Sequence, residues 1–456
     1  MRLSGFQKLM QSWERWHAVN AVQFVELRES IPLSRLRHAV EQLFRSLDEG
    51  SGGSSWRQDY GGKSPDFSEI LDPDCVLIGD TKDLERLITQ LMNRPFADSQ
   101  LPVRCGIAET GSASFLWLCY RHSIADARSI AILLRFLLLS LFTDRGCDQD
   151  VRALNIGASM DEILQRRIPS SWWRNGAVII QSLYALQKCA RRSPQALGDY
   201  SMVFRHHGSG YSLSSLQRLA RCSGYTVGEL LTAAVLEWQI RTGGNSRLRP
   251  WASQRCVSVL ADVTSRVGPE WRESFGQYIC PLNVFHDCDS DSFEELLKVV
   301  RCQLQGTRQF DNAVRCLAGL AINSFFLKFL PGRVAQVDQE LIIPVGAAIS
   351  NVNLNSLIVT KQDDLPIVSY ARSTCASQLS PVIVCLTTFQ DSWTLTSTHF
   401  SACFSDDEIS GLGEHLRFRL NAITRENGSS EERPPQLRVV AESDCPNLAI
   451  PGKGIA

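Results

Sequence analysis

Residues 120–129 read YRHSIADARS and place His122 four residues before Asp126. The run before them (residues 113–119, ASFLWLC) is apolar, and so is the run after them (residues 130–142, IAILLRFLLLSLF). The first is short and follows the turn-like ETGSA, so it reads as a buried strand; the second is long enough for a helix. A histidine at the strand end and an aspartate at the helix start then share one loop at the edge of a rigid sheet. Functional side chains are often held in such loops. The imidazole has an ordinary pKa of about 6.5, which suits it to take and return a proton near neutrality. Asp126 is also a good helix N-cap, accepting a hydrogen bond from the first turn. By itself H-x-x-x-D is a weak pattern, which a satisfied strand-end histidine beside a capping aspartate would also produce.

Outward from the motif, residues 21–27 (AVQFVEL) read as a strand. Leu36, Val40, Leu43 and Leu47 then recur at helical spacing. The Gly/Ser-rich stretch around residues 46–66 is expected to be an exposed loop, and residues 83–93 form a helix stopped before Pro95. Residues 102–109 and 112–121 read as neighbouring strands, a hairpin through ETGSA. The pattern weakens between residues 145 and 200, then resumes with alternating strands and helices. The last helix is expected from Ser405 as N-cap, followed by a mobile tail at residues 426–436. The division expected is an N-terminal domain over residues 1–175, a linker over 176–199 and a C-terminal domain over 200–456. Alternation of strands and helices in both halves implies α/β sandwich-like domains.

A chain of 456 residues is long for one core. Lys+Arg (47) nearly balances Asp+Glu (48), so no global field recruits nucleic acid. The fifteen cysteines show no C-x-x-C spacing and read as buried thiols in a reducing compartment. The first twenty residues lack the unbroken apolar core of a signal peptide. Residues 130–142 include Arg135 and fall short of the roughly 20 residues needed to cross a bilayer. A cytoplasmic protein without a transmembrane segment is expected. His206 and His207 lack acidic or cysteine company and read as a solvated strand end, so no metal is expected. Residues 243–251 (GGNSRLRPW) lack a P-loop lysine, so nothing supports a phosphate cradle.

The order of strand, HSIADA and apolar helix resembles the HHxxxDG region of the chloramphenicol acetyltransferase-like superfamily. That superfamily includes BAHD acyltransferases, alcohol acetyltransferases and condensation domains of peptide synthetases. The resemblance extends, in order, through NRPFADSQLPVRCGI, GYTVGELLTAAVLEW, VSVLADVTSRV, ESFGQYICPLNV, AAISNVNLNSL and LSPVIVCLTTFQDSWTLTSTHF. It implies two similar α/β sandwich domains with a channel between them. It makes His122 the general base and Asp126 a support of the loop, paired with an arginine. It also places Ser350, Asn351 and Gln277 along the channel. Several positions depart from the pattern: Arg121 stands for the first histidine, Ala127 for the glycine, Thr264 for the pairing arginine, Gln277 for an asparagine and Asn353 for a glycine. Either Arg266 then supports Asp126 in its place, or the pair is lost.

The function implied is transfer of an acyl group from a thioester to a hydroxyl or amine of a small, natural-product-like acceptor, as in secondary metabolite biosynthesis. Acyl-CoA is the expected co-substrate, ahead of an acyl carrier protein, since no added carrier domain is marked in the chain. No other cofactor is implied, and a monomer is expected. The alternative is the same fold turned to cyclisation or isomerisation of a biosynthetic intermediate.

Overall fold

A computed structural model describes residues 4–50, 70–72, 76–97, 100–110, 113–143, 155–156, 186–190, 192, 199–209, 212–243, 252–262, 264, 274–287, 292–307, 345–358, 365–377 and 379–426. Residues 46–50, expected to open the exposed loop, continue a helix instead; the rest of that loop, most of the expected linker and the tail beyond residue 426 fall outside these. In chain order the elements are α1 (Gly5–Trp13), β1 (Asn20–Leu27), α2 (Leu33–Gly50), β2 (Val76–Leu77), α3 (Thr81–Asn93), β3 (Val103–Glu109), β4 (Ser114–Arg121) and α4 (Ala127–Phe142). Then come β5 (Asn155–Ile156), β6 (Met202–Ser209), α5 (Leu213–Cys222), α6 (Val227–Thr242), β7 (Gln254–Asp262), β8 (Ser274–Phe275) and β9 (Ile279–Asp287). The chain closes with α7 (Phe293–Thr307), β10 (Ala347–Asn353), α8 (Asn355–Ile358), β11 (Ile367–Ser373), β12 (Val382–Phe389), β13 (Ser392–Phe400) and α9 (Asp406–Glu426).

Two sheets carry the fold. The first has the order β11-β1-β4-β3-β2 and the second β6-β13-β12-β10-β7-β9. The hairpin through ETGSA is present, with Val103 opposite Tyr120. The first sheet is buried on both faces, which explains why its strands read as near-continuous apolar runs. Ala21, Val25 and Leu27 of β1 pack with α2 and α4, where Leu36, Val40, Leu43 and Leu47 form the buried stripe. Val22 and Phe24 point the other way, into a cluster shared with α1, α3 and the second sheet. Twelve residues of α4 are buried, so the helix is apolar almost all round because it is packed almost all round.

Strand β11 comes from the C-terminal half yet pairs antiparallel with β1, from Val22–Ser373 to Leu27–Ile367. The C-terminal half read from the sequence therefore lends one strand to the first sheet. Helix α1 was not expected from the sequence. It is short, starts from a capping box between Ser4 and Gln7, and gains its stability by burying Leu9, Met10 and Trp13 against the core.

Gly106 of β3 lies opposite Trp117 of β4, and a Cβ at Gly106 would come within 2.4 Å of the indole. The ring covers the glycine as a cross-strand partner. Gly106→Ala should therefore strain a packed core by about 1–3 kcal/mol. A lower urea midpoint with unchanged slope is expected; an unchanged midpoint would show that the indole moves aside freely.

Candidate active site

The loop between β4 and α4 is fixed from three directions. The His122 N–H donates to the Val19 carbonyl at 2.8 Å, just before β1. From α1, Gln7 Nε2 donates to the Ser123 carbonyl at 2.8 Å. From the segment before β9, Gln277 Nε2 donates to the His122 carbonyl at 3.0 Å. The loop is thus clamped through its backbone, leaving the imidazole to be placed by its own contacts.

Asp126 caps α4: its Oδ1 accepts from the Ser129 N–H at 2.8 Å. Its Oδ2 accepts from the Tyr278 N–H at 3.0 Å, across from the other half of the chain. The Asp126 N–H in turn donates to the Gly276 carbonyl at 2.9 Å. Ser129 extends this seam: its hydroxyl donates to the Gly276 carbonyl at 3.0 Å and accepts from the Gly276 N–H at 3.1 Å. Gly276 lets the Tyr278 ring approach closely, since a Cβ would meet it at 3.0 Å. Among the described residues, no arginine ion-pairs with Asp126, and Arg266 lies outside them. Arg128 instead approaches Asp262 at 3.6 Å, and Asp262 also accepts from the Thr264 N–H and hydroxyl at 2.8 and 2.7 Å. Burial pushes the Asp126 carboxyl up to about 6, with Asp262 adding to the rise and its two amide donors opposing it.

His122 is buried, and its Nδ1 sits 3.1 Å from the Ala125 carbonyl. A carbonyl can only accept, so Nδ1 carries the hydrogen and Nε2 the lone pair. Among the described residues Nε2 has no hydrogen-bond partner, and His122 lines a cavity. Burial lowers the imidazole to about 4, with the Ala125 hydrogen bond opposing the fall and the nearby Arg372 guanidinium adding to it. The ring is therefore neutral at pH 7 and available as a base.

A cavity of about 220 Å³ opens against it. Its wall takes Tyr120, His122, Asp126 and Arg128 from the first half of the chain, and Asp262, Ser350, Asn351, Arg372 and Thr374 from the second. Ser350 and Asn351 thus stand with His122 on one cavity. Gln277 stands behind the loop, holding the His122 peptide. Arg121 turns away, with Nε 3.4 Å from Glu14 and Nη2 donating to the Phe96 carbonyl at 3.2 Å. Ala127 is the first residue of α4 and has no positive φ, so a side chain there is unstrained. His206 and His207 are half-buried rather than solvated, and His207 Nε2 lies 2.8 Å from the Ser397 hydroxyl.

Sequence reasoning missed Gln7, Tyr278 and Arg372. Gln7 had a readable signal, the S-x-x-Q capping box. Tyr278 acts through its backbone N–H, and Arg372 through contacts between strands distant in sequence, so neither leaves a local pattern.

No family model matches the chain, and no curated protein matches it. Solved structures do. The trichothecene 15-O-acetyltransferase TRI3 from Fusarium sporotrichioides is similar over 92% of this chain and 95% of its own, at TM-score 0.64 and 10% identity. The condensation domain of the monacolin K polyketide synthase MokA is similar over 93% and 97%, at TM-score 0.61 and 12% identity. The first condensation domain of the calcium-dependent antibiotic synthetase is similar over 92% and 96%, at TM-score 0.61 and 13% identity. The chain has the two-lobed chloramphenicol acetyltransferase-like fold shared by these acyltransferases and condensation domains. Among the described residues, no helix is long and apolar enough to cross a membrane.

Two titrations test the site. With labelled histidine, the His122 resonance (identified by its loss in His122→Gln) should not titrate between pH 8 and 5. A midpoint near 6.5 would mean the ring is solvated. Asp126 has a folded pKa raised to about 6 from 3.8, so its contribution to stability is full below 3.8 and is lost as pH rises through 6. The wild type should accordingly gain melting temperature relative to Asp126→Asn as pH falls from 7 to 4.5. Parallel curves would show that the carboxyl titrates normally.

Proposed function

We propose that the chain is an acyltransferase that moves an acyl group from a thioester to a hydroxyl or amine held in the cavity, with His122 as general base. The observation that carries this reading is the locked tautomer: Nδ1–H on the Ala125 carbonyl, Nε2 unpartnered at the cavity wall, and the ring neutral. The acceptor O–H or N–H gives its proton to Nε2 while the heteroatom attacks the thioester carbonyl. The tetrahedral adduct then collapses, the C–S bond breaks, and the departing thiolate takes the proton back from His122. One thiol and one ester or amide result, with no acyl-enzyme. Arg372 disfavours a lasting imidazolium, which favours return of that proton. The fold, shared with an acetyltransferase and condensation domains, supports the same chemistry. Soluble acyl-CoA is the donor proposed, and secondary metabolism the setting.

Thiol release from acetyl-CoA or longer acyl-CoA, assayed against a panel of hydroxyl and amine acceptors, is the direct test. His122→Ala should lower kcat by about 100- to 10,000-fold, the usual worth of a general base, with little change in melting temperature. Wild-type rates in the folded variant would remove His122 from the mechanism. A product isomeric with its substrate, formed without donor, would replace acyl transfer by cyclisation or isomerisation. For an acyl-CoA donor, KM should rise with ionic strength as salt screens the contacts to its phosphates.

A further inference from the structure

Arg372 of β11 is only 2% exposed and lines the cavity beside His122. Its guanidinium donates from Nε to the Thr387 hydroxyl at 3.1 Å and from Nη1 to the Ser350 hydroxyl at 2.8 Å. Nη2 donates to the Ser350 and Leu386 carbonyls. Every acceptor is neutral, and among the described residues no carboxylate pairs with it. A buried guanidinium without a counter-charge is costly. The cavity's other charges are engaged elsewhere: Arg128 faces Asp262, and Asp126 caps α4. Around Arg372 stand neutral groups: the His122 ring, the Tyr120 phenol, and the Ser350 and Thr374 hydroxyls.

Three donors around Arg372 have no oxygen or nitrogen acceptor among the described residues. One is the second Nη1 hydrogen, since Nη1 donates there only to the Ser350 hydroxyl. The Ser350 hydroxyl accepts from Arg372 and so keeps its own hydrogen to give. Thr374 lines the cavity, and its buried hydroxyl has no oxygen or nitrogen partner among the described residues; it contacts the Cys375 thiol. A single cation flanked by two hydroxyl donors matches a monoanion with two acceptor oxygens.

We infer that Arg372, with Ser350 and Thr374, binds a carboxylate of the substrate, so that the enzyme acts on a carboxylate-bearing reactant. This rests on the acyl-transfer reading only for the word reactant; the carboxylate site can be tested without turnover. The carboxylate is carried either by the acceptor or by a dicarboxylic acyl group, and both present the same chemistry to Arg372.

The experiment measures binding of benzoate, methyl benzoate and benzamide to the full chain at pH 7 by calorimetry. Benzoate should bind at least tenfold more tightly than either neutral probe. It should also raise the His122 midpoint followed by NMR, because it offsets the Arg372 charge, and methyl benzoate should not. Arg372→Gln should abolish the preference but risks unfolding, since Arg372 also ties strands together. Thr374→Val is the second variant. Apart from the Cys375 thiol its hydroxyl contacts nothing in the fold, so stability should be kept while benzoate affinity falls several-fold and methyl benzoate affinity stays. Equal binding of all three probes to the wild type would overturn the inference. So would a benzoate preference that survives both Thr374→Val and a folded Arg372→Gln. Displacement of benzoate by malonyl-CoA but not by acetyl-CoA would support a carboxylate on the acyl group. Benzoate remaining bound with either would support one on the acceptor. Failure of the acyl-transfer reading shows separately, as absence of thiol release while the carboxylate preference persists.

Discussion

The Asp126 carboxylate is the point on which the site depends. One oxygen ends the backbone of α4 and the other holds the backbone of Tyr278, so a single side chain closes a helix and joins the two halves of the chain. Ser129 repeats the join one position along through paired bonds with Gly276. Both acceptors of Asp126 are filled by N–H groups that would otherwise be buried without partners, which is the costlier alternative. The position of His122 follows, because its loop has no freedom between a strand end and a helix start held in this way.

A second consequence is electrostatic. The seam excludes water from the loop, and the same desolvation pushes the aspartate up and the histidine down. The histidine is neutral because it is buried, and its tautomer is set because Nδ1 meets the Ala125 carbonyl. The chemistry of Nε2 is therefore prepared before any ligand enters.

Strand β11 supplies the third element. It leaves the C-terminal half to pair with β1, and Arg372 at its end reaches back to β10 and β12. The cavity wall is built where the strand crosses between sheets, so its two sides come from segments more than one hundred residues apart.

Much of this was readable from residue order. The hairpin of β3 and β4 was legible because its alternation and its turn are local. The stripe Leu36, Val40, Leu43 and Leu47 was legible because helical period and burial agree. His122 and Asp126 could be placed at a strand end and a helix cap for the same reason. Resemblance along the chain gave the fold class, which the solved structures bear out. The crossing of β11 had no local signature, because pairing partners are chosen by the finished sheets. Nor did the sequence show that Gln277 would hold a peptide, that Arg128 would meet Asp262, or that Arg372 would stand beside His122 without a carboxylate. These depend on which backbones approach one another, and only the tertiary structure decides that. The sequence determined which side chains could carry a proton or a charge; the packing of two sheets decided which of them share a cavity and which are used up in holding it together.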